Sequence, residues 1–152
     1  MTRRRGMRHD ENKSGRRLIV ANNDINILIG GEAGQGLVTV GELLAKSLVR
    51  AGWHIVVTQS YMSRIRGGHN TFAIRACAAP IHAPGESVDL LVAFNEETAR
   101  LHEGELTPSG AIIADEALHM PVKACCLKAP FKTLAPANLV NVAAFGVAGY
   151  LL

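Results

Sequence analysis

The segment DINILIGGEAGQG, residues 24–36, decides the fold of this 152-residue chain. Its first half, Ile25 to Ile29, is a β-branched run typical of a buried strand, and we expect this strand to end at Gly30-Gly31. Its second half is rich in glycine and precedes a stretch with a different period. A strand that runs through a glycine turn into a helix is the opening unit of many α/β domains.

The residues after Gly36 follow a helical period. Apolar side chains recur at i, i+3, i+7 and i+11, which predicts an amphipathic helix over residues 35–50 that Gly52 ends. Ile55-Val56-Val57 is typical of a second strand. The first strand, the helix and the second strand would form a β-α-β unit with the two strands parallel.

The remainder of the chain continues the alternation of short strands and helices. Further strands are predicted over residues 71–76, 89–94, 111–114 and 122–127, with Asn95 as the cap of a short helix and a turn at Pro108-Ser109-Gly110. The last uncharged, apolar segment, up to Leu152, predicts a helix buried on the sheet. Pro136, Asn138 and Asn141 interrupt that segment, which argues against a membrane span. The alternation of strands and helices predicts a layered α/β domain.

The charge is distributed unevenly along the chain. Residues 1–20 hold seven basic and two acidic side chains, whereas the remaining 132 residues hold nine basic and eleven acidic ones. We therefore expect residues 1–23 to be a basic, disordered tail, and residues 24–152 to be a slightly acidic domain without a basic groove for nucleic acid. Three cysteines without metal-binding spacing are consistent with a reducing cytoplasm.

The glycine turn is a candidate anion site. Glycines before a helix N-terminus let backbone N–H groups converge, and the helix dipole favours a phosphate there. The named phosphate loops do not match, because a P-loop would need Lys where Leu37 stands and the dinucleotide glycine spacing fails at Thr39. The alternative is that these glycines only allow a tight turn and close helix–sheet packing.

The polar stretch from Ser60 to Asn70 is the second candidate. Arg64 and Arg66 precede Gly67-Gly68, and arginine suits phosphate or carboxylate recognition. If the strands are parallel, this loop and the glycine turn lie at the same carboxyl edge of the sheet. The alternative is a surface loop with solvated charges. The sequence shows no catalytic constellation and no metal cluster.

Three motifs in this order resemble the gamma domain of 2-oxoacid:ferredoxin oxidoreductases. They are the turn over residues 31–36, the stretch from Ser60-Tyr61 through Arg66-Gly67-Gly68-His69-Asn70, and the strand 89–95. The resemblance covers residues 25–152, and the Glu32-Ala33 version of the turn is most similar to the 2-oxoglutarate type. It implies that residues 24–152 form this gamma domain, with a C-terminal truncation, and that the fold is a three-layer α/β/α domain with a mainly parallel sheet.

The resemblance also implies a function for the complex. Such enzymes decarboxylate a 2-oxoacid such as 2-oxoglutarate or pyruvate oxidatively to an acyl-coenzyme A and reduce ferredoxin. Thiamine diphosphate and [4Fe-4S] clusters would belong to the alpha and beta parts. This chain, not catalytic alone, would contribute to assembly and to the handling of coenzyme A as co-substrate. It would have no specific nucleic acid partner and no membrane partner.

The residues expected at the coenzyme A phosphates come from both candidate loops: Gly34, Gln35, Gly36, Ser60, Tyr61, Arg64, Arg66, Gly67 and Gly68. The Arg66-Gly67-Gly68 stretch has a second interpretation as an interface with the alpha part. A stand-alone phosphate- or nucleotide-binding α/β module is the alternative function.

Overall fold

The computed structural model describes residues 23–61, 68–120 and 122–152. In chain order its elements are β1 (Asp24–Glu32), α1 (Leu37–Arg50), β2 (His54–Tyr61), β3 (His69–Cys77), β4 (Val88–Ala93), α2 (Glu96–His102), β5 (Leu106–Asp115), β6 (Cys125–Ala129), α3 (Phe131–Leu134) and α4 (Val140–Leu151), with short 3-10 turns at Glu103–Glu105 and Ala137–Leu139. The predicted basic tail lies, up to residue 22, outside the described residues.

The six strands form one mixed sheet in the order β2-β3-β1-β4-β5-β6. Strand β3 is antiparallel to both of its neighbours, and the pairs β1–β4, β4–β5 and β5–β6 are parallel. The predicted α/β fold with a mainly parallel sheet is confirmed. The predicted β-α-β unit is wrong in one respect, because β3 lies between β1 and β2. An antiparallel strand needs only a short connection, so β3 pairs with β2 directly and separates it from β1.

Helices cover the sheet on both faces and give the predicted three layers. Helices α1, α3 and α4 contribute to the core on one face, and α2 contributes to the core on the other. The first core is built on fully buried strand residues that share this face: Ile27, Ile29, Phe72, Ile74, Leu90, Val92 and Ile113. The second core lies on the opposite face and is built on Leu28, Leu91, Ala93 and Ile112, with Ala99 from α2.

The boundaries of β1 and α1 show how the glycines act. Strand β1 does not end at Gly30-Gly31, as predicted, but continues to Glu32, because Gly31 and Glu32 pair with Asn70 and His69 of β3. The last residue of helix α1 is Arg50, and Gly52 terminates the helix as predicted, with a φ of +91°. The Gly52 N–H donates to the Val49 carbonyl, and the Trp53 N–H donates to the Leu48 carbonyl, both at 3.0 Å. These two bonds form a Schellman motif, which favours glycine at this position.

Three predictions in the second half need correction. The predicted turn at Pro108-Ser109-Gly110 lies inside β5, where the register with β4 shifts between Val88 and Leu90. This irregularity accommodates the proline, which has no N–H to give to a ladder. Strand β6 begins three residues later than predicted, and the short helix α3 was not predicted. The predicted C-terminal helix is confirmed as α4, but it is buried along one side only, at Ala144 and Ala148, whereas Val142 and Tyr150 are exposed. None of the helices in the described ranges has the length and hydropathy needed to cross a bilayer.

Strand β2 forms one edge of the sheet. It pairs with β3 on its inner side, and most of its side chains are exposed, including Val57 and Tyr61. Its sequence, HIVVTQSY, contains no proline, lysine, arginine or carboxylate. The opposite edge, β6, is five residues long and carries Lys128.

Replacing Asn95 with alanine should lower the free energy of unfolding by about 1–2 kcal/mol. The Asn95 Oδ1 atom accepts hydrogen bonds from the Thr98 N–H at 2.9 Å and from the Thr98 hydroxyl at 2.7 Å. Thr98 is fully buried, so the substitution would leave these donors without a partner. Urea denaturation measures the change, and Asn138→Ala, at an exposed asparagine without a capping bond, is the control. Equal effects of the two substitutions would contradict the capping role.

Candidate functional site

The two predicted loops leave the sheet at the same edge. Gly31 of β1 is paired with Asn70 of β3, which is paired in turn with Tyr61 of β2. The structure therefore places Ser60, Tyr61 and Gly68 on the side of the sheet from which the glycine turn emerges. Arg64, Arg66 and Gly67 lie outside the described residues, so their proposed role stays a prediction.

The glycine turn has the conformation that its sequence requires. Gly34 and Gly36 have φ values of +90° and +78°, which side chains strongly disfavour. The Gln35 side chain closes the turn, since its Oε1 atom accepts a hydrogen bond from the Glu32 N–H at 2.7 Å. A Cβ on Gly31 would lie 2.5 Å from that same oxygen. The predicted binding residue Gln35 therefore also holds the turn in shape.

Helix α1 begins directly after this turn without a side-chain cap. Its N-cap residue is Gly36, and its first turn contains no acidic residue. The first amides of a helix have no partner within the helix, and together with the helix dipole they favour an anion. The glycine turn is thus followed by uncapped helix amides, and phosphate binding at this place stays a prediction.

A cleft of about 530 Å³ opens beside the turn, toward β4 and β5. Its walls come from the glycine turn, the ends of β4 and β5, α3 and the start of α4. They consist of Gly34, Gln35, Gly36, Ala93, Phe94, Asp115, Ala117, Leu118, Phe131, Lys132, Asn138, Val140 and Asn141. Of the predicted site residues that the structure describes, Gly34, Gln35 and Gly36 line this cleft. Ser60, Tyr61 and Gly68 do not line it.

The cleft lies where ligands bind in open α/β sheets. Helices α1 and α2 follow the neighbouring parallel strands β1 and β4 and pack on opposite faces. The crevice outside the carboxyl ends of two such strands is the usual ligand position.

Sequence reasoning missed the polar residues that later elements bring to the cleft. Asp115, at the end of β5, is buried, and its Oδ1 atom accepts a hydrogen bond from the Ala117 N–H at 3.0 Å. Lys132 of α3 supplies a positive charge, and Asn141 of α4 lies where a Cβ on Gly36 would be. Asp115 stands at the carboxyl end of an apolar strand, and this position was the signal in the sequence that could have marked it as a site residue.

His69 lies at the same edge and is buried. Its Nε2 atom lies 2.8 Å from Nε2 of His102. Burial, and then the neighbouring His102, lower the pKa of His69 below its ordinary value of 6.5. No three histidine, cysteine or carboxylate side chains in the described ranges are placed to hold a metal ion.

The free energy of unfolding should fall as the pH drops below about 6.5, because the unfolded chain then binds a proton that folded His69 resists. The contribution of His69 is fully present above that pH. Urea denaturation of the wild type and of His69→Gln between about pH 8 and pH 5 measures it. The variant should show a shallower dependence, whereas His119→Gln, at an exposed histidine, should keep the wild-type slope. Equal slopes in all three proteins would contradict this assignment.

The match to a protein family model shows the family of this chain. The family model described as pyruvate ferredoxin/flavodoxin oxidoreductase matches residues 26–151. The chain belongs to this family. The match covers β1 to α4, including the cleft and the glycine turn.

Relatives of this oxidoreductase family differ in length from the chain. It is 31% identical over 96 residues to the 2-oxoglutarate synthase subunit KorC of Archaeoglobus fulgidus, covering 62% of this chain and 51% of that protein. It covers only 12% of a 2-oxoacid:ferredoxin oxidoreductase alpha subunit from a Sulfolobus species. The chain thus spans between about an eighth and a half of these relatives.

Solved structures of the family share the fold. A 2-oxoglutarate:ferredoxin oxidoreductase from Magnetococcus marinus, with 2-oxoglutarate, coenzyme A and succinyl-CoA bound, superposes with a TM-score of 0.67 at 23% identity, over 78% of this chain and 22% of that one. The gamma subunit of a keto/oxoacid ferredoxin oxidoreductase from Geobacter sulfurreducens gives 0.67 at 22% identity, over 82% and 75%. At these identities the likeness establishes the fold.

Proposed function

We propose that the chain is the gamma part of a 2-oxoacid:ferredoxin oxidoreductase and acts in assembly and in coenzyme A handling. The complex would convert a 2-oxoacid, with 2-oxoglutarate or pyruvate as candidates, to an acyl-coenzyme A and reduce ferredoxin. The observation that carries this proposal is the family match over residues 26–151. The KorC relative and the Magnetococcus enzyme, both named for 2-oxoglutarate, favour that substrate.

The partners supply what this chain does not provide. The alpha and beta parts would hold thiamine diphosphate and the [4Fe-4S] clusters, and the whole assembly would work in the cytoplasm. The role of this chain would be to bind and orient coenzyme A, since the described walls of the cleft present backbone amides, the Lys132 ammonium and the Asp115 carboxylate.

The cleft beside the glycine turn is the site we propose for the phosphate-bearing end of coenzyme A. The uncapped amides of α1 supply partial positive charge at this cleft, and the Lys132 ammonium supplies a full positive charge. Coenzyme A offers phosphates for these donors, and the Magnetococcus enzyme is described with this ligand bound. Arg64 and Arg66 would add further donors from the neighbouring loop.

Steady-state kinetics of the assembled complex test this proposal. Lys132→Ala should raise the KM for coenzyme A about 5- to 30-fold, equivalent to about 1–2 kcal/mol, and leave the KM for the 2-oxoacid unchanged. Lys46→Ala, at an exposed lysine paired with Glu42 on α1, is the matched control. An unchanged KM for coenzyme A in Lys132→Ala would refute the site. Purification of the chain from its host without alpha and beta partners would refute membership of the complex and favour a stand-alone phosphate-binding module.

A further inference from the structure

Three side chains form a hydrogen-bonded chain that runs from solvent into the protein. Glu105 Oε1 lies 2.9 Å from Nδ1 of His102, and Nε2 of His102 lies 2.8 Å from Nε2 of His69. The side chains of Glu105 and His102 are 49% and 15% exposed, and His69 is 8% exposed. The three groups come from the turn after α2, the end of α2 and the start of β3.

The chemistry of the three groups fixes where the hydrogens lie. An ionised carboxylate can only accept, so the His102 Nδ1–H donates to Glu105. A neutral His102 ring then carries a lone pair on Nε2, which accepts from the His69 Nε2–H. His69 is left with its own lone pair on Nδ1. This buried atom has no hydrogen-bond partner within the described part of the chain.

We propose that this chain is a proton-coupled switch that converts His69 Nδ1 from a hydrogen-bond acceptor into a donor. A proton taken up from solvent at the pair makes His102 an imidazolium, with one N–H toward Glu105 and the other toward His69. The proton that completes this imidazolium is the one that His69 carried on Nε2, so His69 now accepts at Nε2, and the proton taken up binds at its Nδ1. Both ring-to-partner bonds survive, one proton is gained, and the positive charge stays on His102.

The charged groups around the pair favour this distribution. Glu97 and His102 of α2 and Glu105 act electrostatically on His69, and Glu32 of β1 lies opposite His69 in the sheet. The positive charge is therefore stabilised on His102, which forms the ion pair with Glu105, while burial disfavours it on His69. Burial is also the main reason why the pKa of His69 is lowered.

The switch lies at the edge from which the glycine turn emerges. A Cβ on Gly30 would lie 3.2 Å from the His69 Cε1 atom, so the ring packs directly over β1. Proton uptake would add one positive charge and one inward N–H donor beneath that edge. This inference does not depend on the proposed coenzyme A site.

Nuclear magnetic resonance of the imidazole nitrogens in the full chain tests the switch between about pH 8 and pH 5. At high pH we expect His102 in the Nδ1–H form and His69 in the Nε2–H form. On acidification His102 should gain its second N–H while His69, still neutral, changes to the Nδ1–H form, both with one midpoint. Separate midpoints, or a His69 that keeps its Nε2–H form throughout, would overturn the proposal.

Variants distinguish the proton-coupled switch between the two rings from a general effect of pH on the protein. His102→Gln should abolish the change at His69, and His119→Asn, at an exposed histidine, should leave it intact. Glu105→Gln retains an oxygen that can accept from His102 but removes the charge that stabilises the imidazolium, so the joint midpoint should move to lower pH. An unchanged midpoint in Glu105→Gln, or a His69 change that persists in folded His102→Gln, would contradict the switch.

Discussion

Gly41→Ala should lower the free energy of unfolding by about 1–3 kcal/mol, although alanine is usually better than glycine inside a helix by about 1 kcal/mol. Gly41 lies in α1 where the helix contacts β3, and a Cβ at this position would overlap the ring of Phe72. Phe72 is itself 2% exposed, so moving its ring would disturb the core that is packed around it. The overpacking cost therefore exceeds the gain in helix propensity.

Gly146→Ala is the matched control for this substitution. Gly146 lies inside α4, and a Cβ there would meet nothing within 4 Å. This variant should raise the free energy of unfolding by up to about 1 kcal/mol, so the two alanines should have effects of opposite sign. Urea denaturation of both proteins at one pH makes the comparison. Stabilisation by Gly41→Ala would show that α1 does not approach β3 as closely as described.

Phe131→Ala should lower the free energy of unfolding by about 3–5 kcal/mol. Phe131 begins α3, is 1% exposed, and belongs to the core beneath α1 and α4. It also lines the cleft beside the glycine turn. Its removal leaves a void in the core, and such a loss is a large part of the total stability of a domain of this size.

The neighbouring Leu134 provides the control on the same short helix. Its side chain is 59% exposed, so Leu134→Ala should change the free energy of unfolding by no more than about 0.5 kcal/mol. Urea denaturation of both variants, fitted with one common m-value, measures the two changes in the free energy of unfolding. A loss below about 1 kcal/mol in Phe131→Ala would mean that α3 does not seal the core.

The strands and helices could largely be predicted from sequence, because their signals are local. The β-branched run of β1, the helical period of α1 and the cap at Asn95 each depend on neighbouring residues. The order of the strands could not be predicted in this way. Nothing local in β3 states that it inserts between β1 and β2, since that choice is made by pairing across the whole sheet.

The candidate site could likewise be predicted only where its residues are neighbours in the sequence. The glycine turn was predicted because one segment, residues 30–36, contains both the glycines and the start of the helix. Asp115, Lys132 and Asn141 were missed because three later elements bring them to the cleft, and each is unremarkable in its own segment. The pairing of His69 with His102 was missed for the same reason, since 33 residues separate them.

No other strand in the described ranges pairs with the outer side of β2, and this has a consequence for how the chain can be produced. Proteins commonly protect edge strands with lysine, proline or bulges, and HIVVTQSY has none of the first two. Its eight residues offer a row of backbone donors and acceptors to any strand that comes near, including β2 of another copy. Protein produced alone at high concentration is therefore expected to associate through this edge and to aggregate.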